Sequence, residues 1–339
     1  MLIRQGSGVI AAVGFSLCCA GQALAWGATG HRLVTKAAIE ALPPSLPAFV
    51  RTEAFAVDAS ELAPEPDRLR GSGKALDSDQ DPAHFVDGDD EGKVLGGPPL
   101  ADLPPTLEDY DTALRAVGQD SWKAGYLPYS IIEGYQRLEK DFATWRADAA
   151  GVRLTADPAK KAWLRGDLAR REMLIRQDLG LWSHFVGDAS YPLHVSVHYN
   201  GWGKGPNPNG YTLEHIHVPL EGPYVAAHVT LAMVKADMAP LRDCQCAVHV
   251  EVGRYLTESQ KLIDAIYALE KDGGFKDGDP RGVNFLTARI AVGANELRDL
   301  IVQAWNASAR MSVGYPGAPA ADFEAGKVPD AYTLLHGTN

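Results

Sequence analysis

The feature that most constrains this chain is one long periodic stretch. From Pro158 to Val186 the apolar residues Trp163, Leu164, Leu168, Leu174, Ile175, Leu179 and Trp182 recur at helical intervals. A helix of that length needs other helices to cover its apolar side. Comparable periodicity runs through Leu33 to Leu42, Leu107 to Val117, Ser130 to Ala149, Tyr224 to Met238, Ala247 to Leu269 and Gly282 to Ser308. Alternating strand patterns are scarce, and no internal repeat or interdomain linker stands out. The expectation is therefore all-α: a single mostly helical domain over residues 26–339. Val57 to Pro105, rich in Asp, Gly and Pro, and Tyr199 to Tyr211 show little periodicity and read as long irregular loops. Long ordered loops usually carry function.

Charge and cysteine usage narrow the functions. Forty-three acidic residues against 32 basic ones leave a formal charge of −11, which argues against holding nucleic acid mainly through a Lys/Arg surface. Any nucleic-acid role must be built at a site. Met1 to Ala25 reads as a secretory signal: Arg4, an apolar run from Val9 to Ala20, then an A-x-A site at Ala23 and Ala25. Cleavage would leave Trp26 first and the protein secreted or periplasmic. The apolar run falls short of the roughly 20 residues that span a bilayer, which disfavours an anchor. Cys18 and Cys19 would leave with the signal. Cys244 and Cys246 could close a small disulfide or stay as thiols, and without a second pair nearby they do not suggest a zinc ribbon.

The histidines are unevenly placed. His184 and Asp188 stand at i, i+4 near the end of the long helical stretch, and His194 follows after Tyr191-Pro192-Leu193. His217 and Glu221 form a second i, i+4 pair, and His84 lies in an acidic stretch from Asp81 to Asp90, preceded by Asp67. Singly, each is more often a helix side-chain pair or a hydrogen-bonded histidine. Together they form a set of nitrogen and oxygen ligands almost without sulfur, which points to hydrolytic zinc and away from a structural finger.

In order and spacing, Trp26-(four residues)-His31, His84-Phe-Val-Asp87, the run His184-Phe-Val-Gly-Asp188-Ala-Ser-Tyr-Pro-Leu-His194, and His217 resemble a known superfamily. It comprises trinuclear zinc phosphoesterases and includes the single-strand-specific nucleases of fungi and plants and the bacterial zinc-dependent phospholipases C. The resemblance spans about Trp26 to Glu221. It implies three Zn2+: one held by Asp67, His84, His184 and Asp188, a second by His194, His217 and Glu221, and a third by Trp26, His31 and Asp188. In that superfamily the α-amine and carbonyl of a leading tryptophan bind zinc, so signal cleavage would complete the site. His215 competes with His217, but the residue four after it is Pro219, which cannot coordinate.

The resemblance further implies hydrolysis of phosphoesters by a zinc-bound hydroxide, with Asp67 orienting the water and Arg70 steadying transition-state charge. Within the superfamily, the short Trp-to-His opening and the stretch from His84 resemble the nucleases. There Phe85 would stack on a base and Asp87 would read its edge. The implied partner is single-stranded nucleic acid or a 3′-nucleotide, acted on by a monomer without a stable protein partner. Glu221, where the nucleases have aspartate, and the Gly201–Gly210 loop resemble instead the phospholipases, which act on phosphatidylcholine. A zinc-binding protein without catalysis would need closed coordination shells, whereas these ligand sets leave positions open for water.

Overall fold

The computed structural model describes residues 26–203, 205–277 and 279–337. The expected signal segment, with its cleavage site, Cys18 and Cys19, lies outside the described residues. Its helices are α1 (Gly27–Glu40), α2 (Glu53–Leu62), α3 (Glu65–Arg70), α4 (Lys74–Gln80), α5 (Leu107–Arg115), α6 (Ser121–Ala124), α7 (Leu127–Leu154) and α8 (Pro158–Asp188). After the single turn α9 (His217–Pro219) come α10 (Val225–His228), α11 (Leu231–Ala236), α12 (Val248–Gln260), α13 (Ile263–Lys271), α14 (Pro280–Ser308), α15 (Ala320–Glu324) and α16 (Ala331–His336). The only sheet among the described residues is an antiparallel pair, β1 (Ser312–Val313) with β2 (Ala318–Pro319). The fold is mostly helical, as expected.

Helix α8 is the spine. Asp157 caps it, accepting from the Ala159 and Lys160 amides at 2.8 and 3.1 Å, and Pro158 opens it with a φ already suited to a first turn. It packs along α7, while α1, α2 and α14 cover its remaining sides. Trp182 is buried with its indole N–H donated to the Ile131 carbonyl at 2.8 Å, fastening α8 to α7. No described helix is long and apolar enough to cross a membrane.

Between α7 and α8 lies a buried carboxyl pair. Burial first, then the charge of Asp167, push fully buried Asp148 up to about 8. Burial would raise Asp167 too, but Arg170 and Arg171 hold it below the usual carboxylate range. Asp148 therefore keeps its proton at neutrality and shares it with Asp167.

Three expectations need correction. Val57 to Pro105 is not irregular throughout, because α2, α3 and α4 occupy Glu53–Gln80. The six residues of α3 are too few to show a period, and α4 buries none of its residues, so neither leaves an apolar stripe in the sequence. The helix expected over Tyr224 to Met238 breaks at Val229, where Thr230 turns extended and caps α11 through the Met233 amide. That over Ala247 to Leu269 divides into α12 and α13 around Lys261 and Leu262.

Candidate metal centre

Several elements converge at the C-terminal end of α8. The helix delivers His184 and Asp188 one turn apart, and the chain then turns through Tyr191-Pro192 to bring in His194. α3 contributes Asp67 and Arg70, and the short turn after α4 ends on His84. His217 comes from α9 and Glu221 from the π-helical turn Leu220–Tyr224. All nine ligand candidates are buried: Trp26, His31, Asp67, His84, His184, Asp188, His194, His217 and Glu221. His215 is exposed, which favours the register through His217.

Backbone carbonyls dictate which imidazole nitrogens face inward. His194 Nδ1–H donates to the His84 carbonyl and His217 Nδ1–H to the Tyr199 carbonyl, both at 2.8 Å. A carbonyl oxygen only accepts, so each ring turns an Nε2 lone pair inward. Those two nitrogens stand 3.2 Å apart, with Glu221 Oε2 at 2.9 Å from His217 Nε2 and 3.5 Å from His194 Nε2. Burial holds His194 below the usual imidazole range, and hence neutral. Electron-rich atoms thus face one another, an arrangement that a cation stabilises.

A second group repeats the pattern. His184 Nδ1–H donates to the Ala63 carbonyl at 2.9 Å, turning Nε2 toward His84 Nδ1 at 2.9 Å, Asp188 Oδ2 at 3.4 Å and Asp67 Oδ1 at 3.7 Å. Burial keeps His84 and His184 well below the usual imidazole range, the neutral form in which histidine binds metal. Burial first, then the charges of Asp67 and Glu221, push Asp188 well above the carboxylate range.

Asp188 belongs to a third group as well. Its Oδ1 stands 3.4 Å from His31 Nε2, while its Oδ2 faces the second group, so one carboxylate spans two sets. The His31 ring stacks on His184 with centroids 3.7 Å apart. Three groups therefore could hold metal ions: His31, His184 and Asp188; Asp67, His84 and His184; His194, His217 and Glu221. The fourth group by proximity, Cys244, Cys246 and Glu251, has its sulfurs joined in a disulfide.

The main chain of Trp26 lies against Glu221. Its N–H donates to Glu221 Oε2 at 3.0 Å, and its carbonyl accepts from the Gly30 amide in the first turn of α1. The indole N–H reaches the Gly187 carbonyl at 2.7 Å, next to Asp188. Gly27 makes this close entry workable, because a Cβ there would stand 2.9 Å from Gly222 Cα.

A cleft of about 360 Å³ exposes parts of two groups, with Arg70, His84, Phe85, Asp87, His194 and His217 in its walls. Arg70 is buried, and its guanidinium meets Asp81 at 2.8 Å and Asp67 at 3.4 Å. Phe85 is half-buried and lies outside the apolar core. Burial first, then the Asp81 charge, push Asp87 up to about 7.

Sequence reasoning missed Lys123, Tyr199 and Asn200, which with Asp81 complete the cleft. Asn200 Oδ1 accepts from the His217 amide at 3.2 Å. For Tyr199 and Asn200, their place just before the Gly201–Gly210 loop was the available signal; Lys123, on α6, carried none. The described part of that loop instead stacks Trp202 on His198 at 3.8 Å and borders a separate groove. No model of a known protein family and no curated protein matches the chain.

Proposed function

We propose that the chain is a secreted or periplasmic zinc-dependent phosphoesterase of the superfamily named above, acting as a single-strand-specific endonuclease with 3′-nucleotidase activity. The observation that carries this reading is the facing of unprotonated ligand atoms. An ion with tetrahedral bonds of about 2.0–2.1 Å separates its ligand atoms by about 3.3 Å, and the His194–His217–Glu221 separations of 2.9, 3.2 and 3.5 Å bracket that length. The donors are imidazole and carboxylate, which suit zinc.

Three ions are assigned to Asp67, His84, His184 and Asp188; to His194, His217 and Glu221; and to Trp26, His31 and Asp188, with the Trp26 α-amine supplied by signal cleavage. When bound, zinc supplies Lewis acidity and lowers the pKa of water toward neutrality. The protein's own groups do the rest. Asp67, fixed by Arg70, orients the attacking water. Arg70 offers a buried guanidinium to the phosphate oxygens, where a fixed cation acts strongly because water is excluded. Phe85 presents a ring for base stacking, and Asp87, near its midpoint at neutral pH, presents both donor and acceptor character to a base edge.

A phospholipase C is the second reading. Glu221 favours it, as does an apolar groove of about 650 Å³ with Leu62, Leu69, Met173 and Phe185 in its walls, the Phe185 ring 5.3 Å from His84. The deciding experiment offers purified protein beginning at Trp26 single-stranded RNA, 3′-AMP and phosphatidylcholine micelles, with and without chelator. Chelator-sensitive hydrolysis of the first two supports the nuclease, cleavage of phosphatidylcholine alone supports the second reading, and no turnover refutes both.

A further inference from the structure

The cleft holds two cationic side chains, and they differ. Arg70 is committed to Asp81 and Asp67. Lys123 is exposed on α6 and has no ion-pair partner among the described residues, so its ammonium stays available in a cleft wall that also carries Asp81 and Asp87. In a chain of net charge −11, a free ammonium beside ligands for divalent ions is a local attractor for anions.

Lys123 is also held in place. The Asp87 amide donates to the Ala124 carbonyl at 2.8 Å, the Tyr126 amide to the Pro82 carbonyl at 2.7 Å, and the Leu127 amide to the Phe85 carbonyl at 3.1 Å. These bonds lock α6 onto the segment that carries His84, Phe85 and Asp87. Gly125 lets the two approach: its φ is +77°, and a Cβ there would fall 2.1 Å from the Phe85 carbonyl oxygen. Beside Lys123, Trp122 is 55% exposed and tilts against Tyr126 at 5.4 Å, which supports the indole on one side and leaves its other face to solvent.

We infer that α6 forms a second nucleotide subsite, in which Lys123 takes the phosphate adjoining the scissile one and Trp122 stacks on the base beyond it. The site thereby favours a single strand over a mononucleotide. This rests on the nuclease reading above. Backbone charge and a sequence-tolerant stacking face are the two elements by which single strands are held without base readout.

The test measures binding of a fluorescent oligothymidylate with hydrolysis-resistant phosphorothioate linkages to the zinc-loaded protein, over a range of salt. Removing one phosphate contact on a single strand lowers the slope of log affinity against log salt by about 0.7, or roughly fivefold in affinity near 0.1 M salt. Lys123→Ala should show that loss, and Lys123→Arg should restore the slope. Trp122→Ala should weaken binding roughly 5- to 140-fold with the slope unchanged. Both side chains are exposed, so the variants keep the fold. Should wild type bind this strand and cleave its unmodified phosphodiester counterpart while Lys123→Ala keeps its slope and affinity, the subsite is overturned and the nuclease reading stands. A wild type that ignores the oligonucleotide but cleaves phosphatidylcholine overturns both.

Discussion

Replacing Glu221 by glutamine separates metal binding from packing. Glu221 is fully buried, with Oε2 shared between the Trp26 N–H at 3.0 Å and the two inward imidazole nitrogens, and Oε1 without a hydrogen-bond partner among the described residues. Glutamine has nearly the same shape. With its N–H2 at the Oε2 position it can donate to His217 Nε2 in place of accepting from Trp26, so without metal the amide relieves the clash of lone pairs and the burial of a charge. With metal the order reverses, because an uncharged amide is a poor ligand and that ion is lost. Zinc free at about a hundred times its dissociation constant stabilises the folded state by about 2.7 kcal/mol per site, which for a chain of this size is roughly 4 °C in Tm. Thermal unfolding in excess zinc should therefore place Glu221→Gln lower by about that amount, and in excess chelator it should unfold no earlier than wild type. Equal destabilisation in both conditions would refute the argument and leave Glu221 as an acceptor for Trp26.

Other expectations follow from the same geometry. Asp188→Asn should lower zinc content, measured by elemental analysis, and turnover more than Glu221→Asp does, because Asp188 faces two groups; equal effects would count against the shared carboxylate, and His215→Ala should keep its metal. Phe85→Ala should weaken binding of single-stranded oligonucleotides and 3′-nucleotides by about 1–3 kcal/mol while sparing a small aryl phosphate ester; an equal loss on every substrate would make Phe85 a mere support for His84. Asp148→Asn tests the carboxyl pair. An unfolded carboxyl ionises near pH 4 whereas folded Asp148 does so at about 8, so between those values the folded state binds more protons and stability falls as pH rises, by up to about 1.4 kcal/mol per unit. Wild type should lose up to roughly 3 kcal/mol from about pH 6 to about pH 8 relative to the variant in chemical denaturation, and parallel curves would show that Asp148 is not the proton-holding group. A Met-extended protein that cannot expose the Trp26 amine should lose one zinc and most activity; full activity with normal zinc content would sink that ligand.

What could be read beforehand was whatever has a period or a fixed spacing. The stripe from Trp163 to Trp182 announced α8, and i, i+4 spacing placed His184 beside Asp188 and His217 beside Glu221. Short elements escaped because they carry no period: α3 has six residues, yet it positions both Asp67 and Arg70. Meetings across the chain escaped too. No spacing rule states that His84 Nδ1 comes within 2.9 Å of His184 Nε2 or that the Trp26 amide finds Glu221. The resemblance grouped His84 with His184 beforehand, but it set Trp26 with His31 and Asp188 and not with Glu221. It named no role for Lys123, whose place depends on Gly125 letting α6 lie against Phe85.

The hydrogen bonds that assemble the ligands join residues 100, 110 and 195 positions apart. A zinc finger closes its ligands within one short loop and can capture its ion before anything else has formed. Here the corresponding loops span most of the chain, and closing them uses entropy that only the completed α7–α8–α14 packing recovers. On the proposed metal assignment, loading therefore comes last, with ions entering through the finished cleft, so the rate of metal uptake would report access to that opening and not the speed of chain collapse. By the same connectivity, stripping the ions weakens the domain as a whole instead of melting one segment.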